Sequence, residues 1–250
     1  MDRPNFDRLV KDGLPVVTPV IHVLDVGQAL RNLDTVKGAG CPGAFLINHD
    51  FPMEDFLPVL REVRAARPDL WLGVNFLAQT GGVGFPVLGQ LAQEGCRIDA
   101  YWADDARIDE REEAQAEAEQ IARIRAQSGW GGLYLGGVAF KKQRPVNPED
   151  HAEAARKALP YMDVVCTSGI ATGQEADLTK IDTFRAALGD APLALASGIT
   201  PENAHLYAPL VDIFLVATGI NFDGDFHNID PARLNALLEV TRNARKGAHP

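Results

Sequence analysis

Three pairs of small polar residues stand where an α/β chain places its chemistry. Ser168-Gly169 follows the apolar run Asp163-Val-Val-Cys-Thr167, Ser197-Gly198 follows Pro192-Leu-Ala-Leu-Ala196, and Thr218-Gly219 follows Asp212-Ile-Phe-Leu-Val216. Continuous β-rich runs separated by amphipathic segments read as parallel strands buried on both faces, with crossover helices between them. Folds of this kind build their sites at the ends of such strands. In eight-stranded α/β barrels the loops after the last two strands often hold a phosphate with backbone N–H groups. Ser197, Gly198, Ile199, Thr218 and Gly219 are therefore a candidate phosphate cradle, with the glycines letting the main chain come close to an anion. Ser-Gly and Thr-Gly are also ordinary turn chemistry. Asp223 and Asp225, a few residues on, would repel a phosphate if they pointed inward. Thr172 and Gly173 lie above the sixth strand as a candidate substrate loop.

A second group of residues could form the reacting end: His22, Asn48, Asp50, Asn75, Asp104, Lys141 and Ser168. His22 sits near the end of the first strand as a candidate general acid or base, although a lone histidine in an apolar strand is commonly a satisfied core group. Asn48 and Asp50 are two apart and could face the same way, whereas His49 between them reads as a polar loop residue. Asp104 and Asp105 close the fourth strand and suit acid–base work, a divalent cation or a solvated turn. Lys141 and Lys142 follow the fifth strand. Alternation lets one of them face the mouth, where it could meet an anion or, with a lowered pKa, act as base or amine nucleophile. An exposed lysine pair is the plain alternative.

The elements that must position these residues alternate throughout. A short helix over Asn5–Gly13 would plug a barrel floor. Strands follow at Pro15–Leu24, Gly43–Asn48, Leu70–Phe76, Arg97–Trp102 and Leu133–Phe140, ahead of the three runs above. Asp25 can cap a helix to about Lys37, and Asp177 can cap one to Leu188. Further helices are expected over Met53–Arg67, Phe85–Glu94, Arg111–Ala126 and Pro148–Leu159, from Pro201 after a capping Thr200, and from Asp230-Pro231 to about Ala244. Gln79-Thr-Gly-Gly-Val-Gly84 matches no phosphate-loop or dinucleotide fingerprint and reads as a mobile loop. Eight strand–helix units make the fold class α/β, a single (β/α)8 TIM barrel with a short N-terminal helix. Residues 1–14 form the lead-in, 15–245 the barrel and 246–250 a tail.

With 250 residues, 46% hydrophobic and 23% charged, the composition is that of an ordinary globule. A net charge of −10 opposes binding to nucleic acid. No apolar stretch approaches the roughly 20 residues needed to span a bilayer. The charged amino terminus lacks a signal-peptide core, so a cytoplasmic location is expected. Cys41, Cys96 and Cys166 are scattered without metal-ligand spacing and are expected to be free buried thiols. No metal or organic cofactor is called for.

The stretch Asp163-Val-Val-Cys-Thr-Ser-Gly-Ile-Ala-Thr-Gly-Gln-Glu-Ala-Asp177, with Ala196-Ser-Gly-Ile-Thr-Pro-Glu-Asn203, Val216-Ala-Thr-Gly219, Asp223-Gly224 and Asn228-Ile-Asp-Pro-Ala-Arg233, resembles the BtpA family. Pro19-Val-Ile-His22, Ile47-Asn48 and Gly73-Val-Asn75 fit it more loosely. The resemblance implies a TIM barrel, in a family linked to photosystem I biogenesis in cyanobacteria or without assigned reactions. The Ser-Gly and Thr-Gly turns also resemble phosphoribosylanthranilate isomerase and related phosphate-binding barrels. That isomerase has a cysteine base at the end of its first strand, where this chain reads Val-Ile-His-Val, so the same reaction is not expected. The leading expectation is an enzyme for a small phosphorylated metabolite, a sugar phosphate or ribosyl phosphate, with isomerase, lyase or aldolase-type chemistry and possible homo-oligomers. The alternative is a non-catalytic assembly or stability factor for a protein complex.

Overall fold

Apolar strands with no polar face need cover on both sides, and a parallel sheet closed on itself inside a ring of helices supplies it. The computed structural model describes residues 4–247 apart from 12, 14, 142, 170, 172 and 173. In it β1 (Val16–His22), β2 (Gly43–Ile47), β3 (Trp71–Asn75), β4 (Ala100–Ala103), β5 (Leu133–Gly137), β6 (Val164–Ser168), β7 (Leu193–Ala196) and β8 (Ile213–Val216) pair in order and close into a barrel. The expected (β/α)8 architecture holds. Val16 to Pro19 of β1 pair with β8, and Val20 to His22 pair with β2, so Pro19 stands where one ladder hands over to the other.

The helices are α1 (Pro4–Val10), α2 (Val26–Gly38), α3 (Met53–Ala66), α4 (Gly81–Gln93), α5 (Ala116–Ser128), α6 (His151–Ala158), α7 (Leu178–Leu188), α8 (Ala204–Tyr207) and α9 (Pro231–Gly247). Asp25 and Asp177 cap α2 and α7 as expected, accepting from the N–H groups of Gln28 and Thr179. Other ends move. The segment from Arg111 stays irregular until Ala116, Pro148–Asp150 is a 3₁₀ turn ahead of α6, and residues 201–203 form a turn ahead of the short α8. The last helix runs past Ala244 into the expected tail.

The Gln79–Gly84 stretch is not the mobile loop its glycines suggested: α4 begins inside it. A Cβ at Gly81 would press on Ile121 and Phe85, and one at Gly84 would overlap the Tyr101 ring. These glycines serve close packing of α4 against α5 and β4, a tertiary demand with no local signature.

Alternate strand positions separate two layers. Phe45, Trp71, Trp102, Leu135, Cys166, Leu215 and their neighbours fill the barrel interior, while Val17, Leu46, Val74, Tyr101 and Val165 face the helices. Phe45 packs edge-on against both Trp71 and Trp102. Room for its ring comes from Gly73, where any Cβ would overlap it. Leu9 of α1 joins the interior cluster, and the Asn5 carbonyl accepts from Trp71 Nε1 at 3.1 Å. The N-terminal helix thus closes the floor. All three cysteines are free and buried.

The floor also carries a repeated ion pair. Asp99, Asp163 and Asp212 directly precede β4, β6 and β8. Each accepts an N–H from the preceding strand, at 2.9 Å from Leu72 and 2.8 Å from Tyr134 and Leu193. Each also pairs with an arginine of the helix that leads into that preceding strand: Arg64 of α3, Arg125 of α5 and Arg185 of α7. Asp99 is fully buried and gathers Arg8 and Arg97 as well. Removing one partner of such a pair strands the other in a low-dielectric site. Asp99→Ala should therefore cost about 3–5 kcal/mol of unfolding free energy, read as a lowered denaturant midpoint. An unchanged midpoint would show that the floor does not depend on this pair.

Candidate functional site

At the C-terminal mouth of the barrel lies a cavity of ≈ 70 Å³ floored by Val20, Ile47, Trp102 and Leu215. One wall is made of the turns after β7 and β8, contributing Ser197, Gly198, Ile199, Thr218 and Gly219. All five expected phosphate-cradle residues therefore meet in one place. Ser197 and Gly198 are consecutive left-handed residues, with φ of 77° and 73°. The turn is locked from beneath by Asn203, whose Nδ2 donates to the Gly198 carbonyl (2.8 Å) and whose Oδ1 accepts from Thr200 N–H (2.9 Å). The N–H groups of Gly198 and Ile199 have no acceptor among the described residues. Thr218 and Gly219 open a 3₁₀ turn, Thr218–Ile220, whose first N–H groups have no partner within it.

The need for glycine here differs from the expected one. A Cβ at Gly198 would overlap the carbonyl of Gln174, and one at Gly219 the carbonyl of Ile199. Neighbouring main chain imposes both glycines before any ligand is considered. The two acidic residues that argued against an anion are turned elsewhere. Asp225 accepts from His227 N–H, Asn228 N–H and Asn228 Nδ2, and neither it nor Asp223 lines the cavity.

Lys141 and Asp104 reach the cavity from the ends of β5 and β4. Lys141 Nζ lies 3.4 Å from Ser197 Oγ, bringing a cation to the edge of the cradle. Its neighbour Lys142, and the expected loop residues Thr172 and Gly173, lie outside the described residues. Asp104 Oδ1 accepts from Asn75 Nδ2 at 3.0 Å. Asn75 itself is buried and does not line the cavity; its side chain touches the lining residue Asp104. Asp105 turns away to accept from Arg107 N–H, leaving Asp104 alone of the pair at the cavity.

Ser168 lies outside the lining and works as a brace. Its Oγ accepts from Lys141 N–H and donates to the Gly169 carbonyl, both at 2.8 Å. Lys180 Nζ, whose pKa burial lowers to about 8, donates to the carbonyls of Ser168 (2.8 Å) and Ala139 (2.6 Å). The ends of β5 and β6 are tied together beneath Lys141. Asn48 is likewise structural: it accepts from Leu77 N–H (3.0 Å) and donates to the Phe51 carbonyl (2.9 Å), bridging the loops after β2 and β3.

His22 lines the remaining wall with two residues that sequence reasoning set aside or missed, His49 and Phe226. The Phe226 ring stacks on His22 at 3.8 Å and 13°, and its carbonyl lies 3.1 Å from His22 Nδ1. His49 meets His22 edge-on at 5.5 Å. Burial drives the His22 pKa down to about 4 despite the bond to Phe226, with nearby positive groups adding to the shift. The ring is neutral at pH 7. Asp50 stands on the rim, outside the cavity, and its Oδ2 meets His227 Nε2 at 2.8 Å. That contact, first among the causes, holds the Asp50 carboxyl below its ordinary range. The His227 carbonyl accepts from Gln28 Nε2 (2.6 Å) and Asn32 Nδ2 (2.9 Å) of α2, which fixes the loop after β8. The adjacent aromatic pair Phe226-His227 in the loop after β8 was the available signal.

A model described as the BtpA family matches residues 105–243, more than half of the chain. No curated protein matches in sequence. Among solved structures, tryptophan synthase alpha chain from Legionella pneumophila subsp. pneumophila superposes with a TM-score of 0.68 at 16% identity, covering 96% of each chain. Phosphoribosyl anthranilate isomerase from Thermus thermophilus gives 0.59 at 17%, covering 91% of this chain and 98% of that one. Thiamine phosphate pyrophosphorylase from Pyrococcus furiosus gives 0.60 at 11%, covering 95% and 98%. At these identities the likenesses show the fold alone.

The His22 shift sets a sign for acid stability. Between pH about 6.5 and about 4 an unfolded His22 binds a proton that the folded one refuses. Stability contributed through this residue is therefore lost as pH falls through that window, by up to about 1.4 kcal/mol per pH unit. Urea unfolding of the wild type and His22→Phe across pH 4–7 should show the wild type losing stability relative to the variant as pH falls. Parallel curves would mean that His22 titrates alike in both states.

Proposed function

The chain belongs to the BtpA family, and on that premise we propose that it is an enzyme acting on a small phosphorylated metabolite, a sugar phosphate or ribosyl phosphate, at the C-terminal mouth of its barrel. The observation that carries the reading is the meeting of two turns with unclaimed N–H groups and an ammonium group in one cavity that also holds a carboxylate and a neutral imidazole. The turns after β7 and β8 take the phosphate, with Lys141 neutralising part of its charge. Asp104, oriented by Asn75, and His22 face the reacting part of the substrate and exchange protons with it. Phe226 and the anchored loop after β8 keep water from that part. Proton transfer of this kind serves isomerase, lyase and aldolase-type reactions alike. Two superposing barrels, the phosphoribosyl anthranilate isomerase and the thiamine phosphate pyrophosphorylase, carry phosphorylated compounds in their names, which agrees with the reading.

A non-catalytic assembly factor would need a docking face. Among the described residues the exposed large apolar side chains are Leu24, Val83, Leu159, Leu178, Leu206 and Phe222, and a stable partner seated on them in pull-downs would favour that second reading.

A thermal-shift screen with phosphate, sulfate and a panel of sugar phosphates tests the proposal. A bound compound at about 100 times its Kd stabilises the fold by roughly 2.7 kcal/mol. One or more sugar phosphates should raise Tm in the wild type and fail to do so in Thr218→Glu. Thr218 is the better probe than Gly198, because its side chain is exposed at the cavity and a carboxylate there repels the anion without disturbing the turn. No shift with any phosphorylated compound would sink the reading.

A further inference from the structure

We infer that His22 presents a fixed hydrogen-bond acceptor to the cavity, and that the ligand meets it with a donor, a hydroxyl or an amine, and not with a phosphate or carboxylate oxygen. The tautomer follows from the ring's polar contact with Phe226. Nδ1 lies 3.1 Å from the Phe226 carbonyl, and a carbonyl oxygen only accepts, so Nδ1 carries the proton. A neutral imidazole has one N–H, which leaves Nε2 with a bare lone pair. No described residue donates to Nε2.

The ring is also held in place. It stacks on Phe226 at 3.8 Å, meets His49 edge-on at 5.5 Å, and is only 7% exposed. The carbonyl that sets the tautomer belongs to a loop pinned on both sides of Phe226, by Asp225 accepting from His227 N–H and by α2 holding the His227 carbonyl. The burial that keeps His22 unprotonated at neutral pH keeps Nε2 an acceptor throughout the physiological range.

Asp104 adds a second acceptor to the same cavity, whereas Lys141 stands beside Ser197 at the cradle. The cavity is thus polarised. Its cationic and N–H groups suit an anion, and His22 Nε2 with Asp104 suits hydroxyl donors. This deepens the reading of the cavity as a phosphate site and rests on it: the preferred ligand is a phosphorylated polyol or sugar, and a phosphorylated carboxylic acid is rejected because its second anion would face two acceptors. It also limits His22 chemically. At neutral pH Nε2 has a proton to take and none to give.

Two measurements decide the inference. In the first, the full chain is labelled with ¹⁵N-histidine and its imidazole nitrogens are read by NMR at pH 7, with His22 assigned by the signals lost in His22→Phe. Nδ1 should show the protonated type and Nε2 the unprotonated type; a protonated Nε2 overturns the inference. In the second, calorimetry compares inorganic phosphate, glycerol 3-phosphate and 2-phosphoglycolate. Glycerol 3-phosphate should bind the wild type at least about tenfold more tightly than 2-phosphoglycolate. His22→Phe should erase that preference while leaving the Kd of inorganic phosphate unchanged. His22→Gln, whose amide can turn to donate, should also relax it and serves if the phenylalanine variant does not fold. Equal binding of the two organic phosphates by the wild type, or a preference that survives both substitutions, overturns the assignment. Failure of all three compounds, inorganic phosphate included, overturns the phosphate reading instead, and the NMR result then decides the acceptor alone.

Discussion

A closed parallel barrel has to satisfy the ends of its ladders without an edge to spill into, and here the floor does so with carboxylates. Asp99, Asp163 and Asp212 each take a main-chain N–H from the preceding strand while balancing an arginine from the ring of helices. One side chain thus joins three elements. The arginines extend the effect, since Arg64 donates to carbonyls of the turn that leads into β3, and Arg185 to carbonyls of the turns that lead into β7 and β8. The repeat comes every second strand, and it ends where the first unit begins. The N-terminal helix joins the same floor, with Arg8 reaching Asp99 and Leu9 entering the interior.

The opposite end is held by a different chemistry. Fixed charges crowd the floor, but the mouth is organised by amide and hydroxyl side chains that bond to main chain: Asn203 under the β7 turn, Ser168 under Lys141, Asn48 across two loops, and Gln28 and Asn32 on the last loop. Such groups shape a backbone without adding net charge to the cavity. Among the described lining residues the lysine and the carboxylate are Lys141 and Asp104, and a ligand close to them would feel a change in either.

What the sequence disclosed follows the range of the interactions involved. The Asp25 and Asp177 caps were legible because a cap is settled within three residues, and the buried strands were legible because a parallel sheet writes itself as unbroken apolar runs. The β7 and β8 turns were found from their place in the strand order, and the demand for their glycines that the structure shows, clearance of the Gln174 and Ile199 carbonyls, was not legible from either turn. Where partners are far apart in the chain, reading failed. The helical start at Gly81 depends on Ile121 and Tyr101. His49 looked like a solvated loop residue because nothing nearby announces Phe226, and the contact between Phe226 and His22 spans 204 positions. Ser168 has the position of a site residue, but it is bonded to Lys141 and Lys180, neither of which its own segment predicts to be so close.

The stitching of the β8 loop to α2 and Asp50 has a consequence for the making of the protein. The wall formed by Phe226 and His227 is anchored by Gln28, Asn32 and Asp50, which precede His227 by 199, 195 and 177 positions. A nascent chain on the ribosome holds those anchors long before the segment that will dock on them has emerged. The wall against His22 is therefore completed only after the segment that carries Phe226 has emerged.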